Sequence, residues 1–296
     1  MSKWISFILF CLAFSTTGWA QQDSSLLSLL GEDKPSIPEY ESAIFKTTRI
    51  INSHSIENVY KGVLELRISH RFGVVNRGLY DLFGLDQASM KINFDYGLTK
   101  RLAIGIGRSN IEKTFDGFAK YKLIKQTTSN KMPIGVVVVT GMSMSSLKWA
   151  NPNRKNYFTS RLSFFTQVLI ARKFNESFSL QIMPTILHKN LVADNTVEKN
   201  DQFFMGIGMR QKITKRTSIN FEYFYSFNKP KNQKLYNSMS IGFDFETGGH
   251  VFQLHFTNSI AMHERGFLSE TSESWFKGGI HFGFNLSRVF TVKSYY

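Results

Sequence analysis

The run Val63-Leu64-Glu65-Leu66-Arg67-Ile68-Ser69-His70-Arg71-Phe72 decides the fold class. Leu64, Leu66 and Ile68 share one parity, while Glu65, Arg67, Ser69 and Arg71 share the other. A period of two marks a strand with two different faces, because successive side chains point to opposite sides of a sheet. The split recurs at 88–96, where Met90, Ile92, Phe94 and Tyr96 oppose Lys91, Asn93 and Asp95. It continues at 102–108, 114–125, 133–143, 157–171, 178–187, 202–212, 217–226, 236–246, 250–259 and 275–286. That makes twelve expected strands, an even number and mostly near the roughly 9–11 residues of a tilted membrane-crossing strand.

The links between them alternate in length, as an up-and-down barrel of the outer membrane requires, with short turns on the periplasmic side and longer loops outside. Short links fall at 97–101, 172–177, 213–216 and 247–249, and long ones at 73–87, 144–156, 188–201, 227–235 and 260–274. Two links, 109–113 and 126–132, run slightly against the rule. A soluble β-sandwich would also alternate, but it would gather its aromatics into one shared core. Here almost every strand carries its own apolar face, and closure into a barrel leaves no sticky edge and no backbone group unpaired in lipid. The fold class is therefore all-β, a closed antiparallel transmembrane barrel.

Upstream of the strands, Lys3 precedes an apolar run at 4–14 and a small-polar stretch ending at Ala20. That order is a secretory signal peptide, too short for a helical span. The expected organisation is a signal peptide at 1–20, a periplasmic leader at 21–61 able to tuck partly into the barrel, and the barrel at 62–296, with 44–51 able to add a strand. Cys11, the one cysteine, lies in the signal peptide, so disulfides, cysteine-ligated zinc and cysteine nucleophiles are excluded from the mature chain. The 28 Phe and 11 Tyr suit lipid-facing strands and interfacial girdles. The formal charge of +14 is spread through turns and strands, and does not form the stripe that binds nucleic acid. Outside a cell it would meet lipid phosphates and anionic solutes.

Three segments also carry a resemblance: Phe45-Lys46-Thr47-Thr48-Arg49-Ile50-Ile51, the stretch from Lys61-Gly62-Val63 to Arg71-Phe72-Gly73, and Leu82-Phe83-Gly84-Leu85-Asp86-Gln87-Ala88. With Tyr96-Gly97-Leu98-Thr99-Lys100-Arg101-Leu102 and Glu112-Lys113-Thr114-Phe115-Asp116-Gly117-Phe118, the chain resembles an outer-membrane β-barrel family of Bacteroidota that bears a domain-of-unknown-function label. The match covers mainly 45–125. It implies a barrel and the outer membrane of a Gram-negative bacterium, and transfers no site residue.

If the apolar parity meets lipid, the polar parity lines the lumen. That places the acids Glu65, Asp95, Asp116, Glu222, Asp244 and Glu246 inside, with the bases Arg67, Arg71, Lys91, Lys120, Lys122, Arg161, Arg210, Lys212 and Lys277. Nine bases against six acids would favour anions in an open pore; the alternative is that these groups pair and plug it. His255 and His281 share the polar parity on the last two strands, beside the first strand with Glu65 and Arg67. Imidazoles near a carboxylate can bind metal or transfer protons, but a one-residue slip would turn either to lipid. Ser238 and Ser240, the pair Met142 and Met144, and the lysine loop 228–234 carry weaker signals, with strand packing and a solvated tip as the plain readings. No phosphate-binding loop, dinucleotide fingerprint or zinc-protease motif appears.

The leading expectation is a small-solute channel or passive transporter with a weakly anion-favouring lumen, no catalytic residues and no cofactor or metal. The runner-up is a plugged structural or binding barrel acting through its extracellular loops; an outer-membrane enzyme using His255 or His281 comes third. Expected partners are outer-membrane lipid and lipopolysaccharide, small anionic solutes and the barrel-assembly machinery.

Overall fold

The computed structural model describes residues 39–149, 151–192, 198–230 and 232–294; the signal peptide expected at 1–20 and the start of the expected leader lie outside the described residues. Twelve strands follow one another: β1 (Val63–Val74), β2 (Ala88–Gly97), β3 (Leu102–Ser109), β4 (Thr114–Ile124), β5 (Gly135–Ser145), β6 (Leu162–Lys173), β7 (Phe178–Lys189), β8 (Asp201–Lys212), β9 (Thr217–Ser226), β10 (Met239–Thr247), β11 (His250–Thr257) and β12 (His281–Thr291). Each pairs antiparallel with its chain neighbours, and β1 closes on β12 with Ile68 opposite Leu286. Val63 pairs with Thr291, so the strand system begins and finishes at one end, here the terminus end; the long links crowd the other, the loop end.

The period-two parity of the sequence becomes the two sides of the wall. On β1, Glu65, Arg67, Ser69 and Arg71 are buried inside the closed sheet. On the outside, Phe94, Ile106, Phe164, Ile186 and Phe203 stand exposed. Among the described residues no helix is long and apolar enough to cross a membrane.

Three expected strands begin too early. Residues 158–161 form a 3-10 turn before β6, residues 275–277 form another ahead of β12, and β10 starts at Met239. Arg161 and Lys277 therefore lie in loop-end turns and leave the lumen wall. The two links that ran against the length rule do so in the structure as well, with 110–113 short at the loop end and 125–134 long at the terminus end. The long one has a reason. Its backbone clasps the incoming leader, with Glu41 N donating to Gln126 O at 2.9 Å and Thr128 N to Glu39 O at 3.0 Å.

Residues 44–51 do not add a thirteenth strand. The leader enters the lumen, turns back at 50–53 and returns to β1, closed by Ile50 N to Ser53 O at 2.9 Å and Ser55 N to Thr48 O at 3.0 Å. Its bonds reach β1, β4, β7, β9, β11 and β12, which places it inside the barrel and not against one wall. From the loop end, the β11–β12 link descends to meet it, carrying the short helix α1 (Glu264–Ser269) with Phe267 and Leu268 buried.

The lumen is therefore a core. Val137, Val139, Leu169, Met183 and Leu187 are at most 1% exposed, and they cluster with leader residues Ile44, Phe45, Ile50, Ile51 and Ile56 and with Phe267 and Leu268. This corrects the expectation of a uniformly polar inner face: β5 to β9 set apolar residues such as Val137, Leu169, Met183, Phe204 and Phe224 among inward polar ones such as Gln167, Gln181 and Glu222, while β1, β2 and β10 to β12 present mainly polar ones. Close fitting supports the point. A Cβ on Gly208 would lie 2.2 Å from Ile50 Cδ1, so the missing side chain makes the room that Ile50 fills.

Candidate functional site

Most of the expected lumen residues, Arg161 and Lys277 apart, are turned inward, and the buried polar groups among them hold the inserts. Glu222 on β9 receives the leader's turn: its carboxylate accepts from the backbone N–H of Ile51, Asn52 and Ser53, the last at 2.9 Å, and from the Ser53 hydroxyl at 2.7 Å. Successive N–H groups in a tight turn form a small anion nest, so the acid is fixed by local backbone geometry. Arg71 reaches both inserts, donating to Asn52 Oδ1 at 2.6 Å and to Ser259 O at 3.0 Å. Lys91 pairs with Asp116 at 2.9 Å and donates to Met262 O at 3.1 Å. Lys120 donates to Thr48 O and Glu57 O, and Arg210 to Ala43 O at 3.1 Å. Arg67 pairs with Glu65 at 2.5 Å and donates to Thr48 Oγ1, which itself donates to Asp95 at 3.3 Å.

The two histidines are not brought to Glu65. His255 Nε2 accepts from Arg71 Nε at 2.7 Å, and His281 Nδ1 meets Phe72 O at 2.8 Å. Glu65 pairs with Val289, while His281 lies opposite Val74; eight residues of strand between them span roughly 26 Å. Neighbouring strands do not make neighbouring side chains when the register is antiparallel and the residues sit at opposite ends. Among the described residues no group of three or more His, Cys, Asp or Glu side chains is placed to hold a metal. Ser240 bonds Asn52 and Thr257, and Met142 is exposed on the outer face.

Where the inserts meet, Arg49 of the leader forms a buried ion pair with Glu264 of α1, and His54 Nε2 lies 3.3 Å from the same carboxylate. Burial alone would raise the Glu264 carboxyl, but Arg49 and His54 outweigh it and hold it well below the usual range. Burial, reinforced by Arg49, pushes His54 well below an ordinary imidazole, so it is neutral. Neither residue stood out in the sequence. A signal was nevertheless present: Val136 to Val139 are apolar on both parities, so the inward face of β5 needed an apolar cover, and the leader and the 260–274 link were the segments with apolar residues left to supply it.

The residual space is uneven. Inside the barrel, the gaps beside Arg67 and Asn285 are about 10 Å³ each, close to the volume one water needs. At the loop end a cleft of about 220 Å³ opens between the β5–β6 link and α1, lined by Trp149, Arg161, Lys189 and Arg265 among others. Arg161, expected in the lumen, belongs here.

Residues 45–290 match the family model described as "Membrane bound beta barrel domain (DUF5777)". The chain belongs to this membrane-bound β-barrel family. No curated protein matches it in sequence. Among solved structures, the KdgM porin aligns at 7% identity over 79% of this chain and 99% of its own, with a TM-score of 0.46. The NanC porin aligns at 8% identity over 76% and 98%, with a TM-score of 0.48. An outer membrane channel from Pseudomonas putida F1 aligns at 10% identity over 79% and 97%, with a TM-score of 0.44. These are likenesses of barrel shape. The DUF5777 match makes the protein a membrane-bound barrel, and what fills that barrel is a property of this chain's own residues.

Proposed function

We propose that this protein is an outer-membrane barrel of a Gram-negative bacterium whose lumen is permanently filled, and that it acts as a non-enzymatic binding barrel through its loop end. In this reading the terminus end is periplasmic, lipid and lipopolysaccharide surround the apolar belt, and the barrel-assembly machinery inserts the chain. Bacteroidota origin, implied by the sequence resemblance, belongs to the same proposal.

The observation that carries it is the apolar inner wall. A water-filled pore would expose Val137, Val139, Leu169, Met183 and Leu187, all now covered by the leader and α1. Wetting such a surface costs about 25 cal/mol per Å². The inner charges support the same conclusion, because they are spent on holding the inserts. A second reading, a small-solute channel with an anion-favouring lumen, keeps one favourable observation: Arg67, Arg71 and Lys91 line the polar half. It requires both inserts to leave.

Single-channel conductance of the refolded mature chain in planar bilayers separates the two. The filled barrel is expected to be silent while remaining folded and heat-modifiable on gels. Stable openings, with reversal potentials showing anion preference across a salt gradient, would overturn the reading in favour of the channel.

A further inference from the structure

We propose that the loop-end cleft beside Trp149 and Arg161 binds a small phosphorylated solute of sugar-phosphate size, an assignment that rests on the reading of a filled barrel acting through that end. Four bases, Lys148, Arg161, Lys189 and Arg265, and one acid, Glu112, line its roughly 220 Å³. Two of the bases are already neutralised. Lys189 pairs with Glu198 at 2.8 Å and Glu270 at 3.2 Å, and Arg265 pairs with Glu270 at 2.8 Å and Glu112 at 3.6 Å.

Arg161 is held differently. Its Nη1 donates to Ser145 O at 2.8 Å and to Leu147 O at 2.5 Å, and its guanidinium lies 3.9 Å from the Trp149 ring centroid. Backbone carbonyls and an indole fix its position and supply no formal negative charge. No carboxylate pairs with it among the described residues, and none pairs with Lys148 at the rim. A guanidinium that is immobilised but uncompensated, with donors still free, is preorganised for an oxyanion. Because its ordering is complete before the ligand arrives, less entropy is lost on binding.

The four bases and the three acids paired with them, Glu112, Glu198 and Glu270, leave a net +1, carried by Arg161 and Lys148, which have no carboxylate partner among the described residues, and a phosphate monoester with about −1.5 to −2 charges at pH 7 can engage both. Leu147, Leu191 and Trp149 add apolar wall against which the body of a small solute can rest. Lipopolysaccharide offers the same phosphate chemistry, but Ser163 and Lys189 in the cleft are buried on the inward parity. The opening therefore lies within the barrel's mouth and away from the lipid face.

The test is calorimetric titration of the full mature chain in zwitterionic nanodiscs with glucose 6-phosphate, inorganic phosphate and glucose. Saturable binding of both phosphates at roughly 0.1–1 mM is expected, with none for glucose. Arg161→Met and Lys148→Met should each weaken it about tenfold, and added salt should weaken it further. Lys148 is exposed and makes no structural bond in the fold described, so its variant is informative even if Arg161→Met loosens the loop. Absence of anion binding, equal binding of glucose, or unchanged affinity in Lys148→Met would overturn the site. Loss of glucose 6-phosphate binding in nanodiscs containing lipopolysaccharide would assign the cleft to the headgroup and overturn the solute assignment. Silent bilayers without sugar-phosphate binding would remove the site and leave the filled barrel standing; conducting bilayers with binding intact would do the reverse.

Discussion

Glu222 carries more of the leader than any other single side chain, because three consecutive backbone N–H groups and one hydroxyl converge on it. Glu222→Ala leaves them buried without an acceptor, at about 1–3 kcal/mol for each group left unsatisfied. The expected outcome is a heat-modification midpoint well below wild type, with Glu222→Gln falling between; an unchanged midpoint would show that the nest is dispensable. His54 and Glu264 give the same interior a pH dependence. His54 is held neutral in the fold, so below about pH 6.5 the unfolded chain gains a proton that the native chain does not, and stability falls by up to ~1.4 kcal/mol per pH unit. Glu264 has a depressed pKa in the fold, so its contribution is complete above about 4.5 and is lost as pH falls through the folded value. Both act in one direction: midpoints should be flat above neutrality and drop on acidification. A His54→Gln variant should make the part between pH 6.5 and 5 shallower without removing it, since burial also pushes His263 below an ordinary imidazole; a wild-type profile level down to pH 5 would contradict the assigned neutrality of His54.

At the level of elements, alternating side chains made the strands legible, since a two-sided wall writes its parity directly into Val63 to Phe72 and the stretches like it. Their starts were less legible where an aromatic turn precedes the strand: Tyr157 and Phe158, or Trp275 and Phe276, extend the apolar parity without extending the ladder. The leader was hidden for another reason. Its partners are scattered over ten of the strands, so no local pattern announces them, and only the doubly apolar β5 implied that something covers it. Gly97 is a case in point: the sequence marks it only as the start of a short turn, and its contact with the leader appears in the structure alone. A Cβ there would sit 2.0 Å from Tyr60 O and 2.7 Å from Val59 O, backbone atoms of the segment leaving the lumen, which cannot move aside as a side chain can. Gly97→Val is therefore expected to dislodge the leader's exit while leaving the β2–β3 pairing intact. Trypsin should then cut at Lys46 or Arg49, sites buried or half-buried in the wild type; protection equal to wild type would count against the crossing described.

For the whole molecule, the inner charges were legible as a set but their use was not, because a surplus of bases reads the same whether it faces water or backbone carbonyls. Arg71, Lys91 and Lys120 each spend at least one bond on an insert's carbonyl or amide, a pairing that parity alone cannot reveal. The apolar half decides between gate and core. Ile44, Phe45, Ile50, Ile51 and Ile56 are each no more than 5% exposed, and burying a side chain of this kind is worth about 1.5–3 kcal/mol. Five of them sum to roughly 7–15 kcal/mol as an upper bound, comparable with the entire stability of a typical domain. A removable gate would hold far less, since its opening must be reached by thermal fluctuation or modest ligand binding. Deleting residues 43–57 is accordingly expected to give a barrel that refolds in low yield, loses heat resistance and shows irregular current at most. A deletion variant as heat-resistant as the full chain, with steady anion-selective openings, would mean that the wall tolerates water and that the leader is a gate.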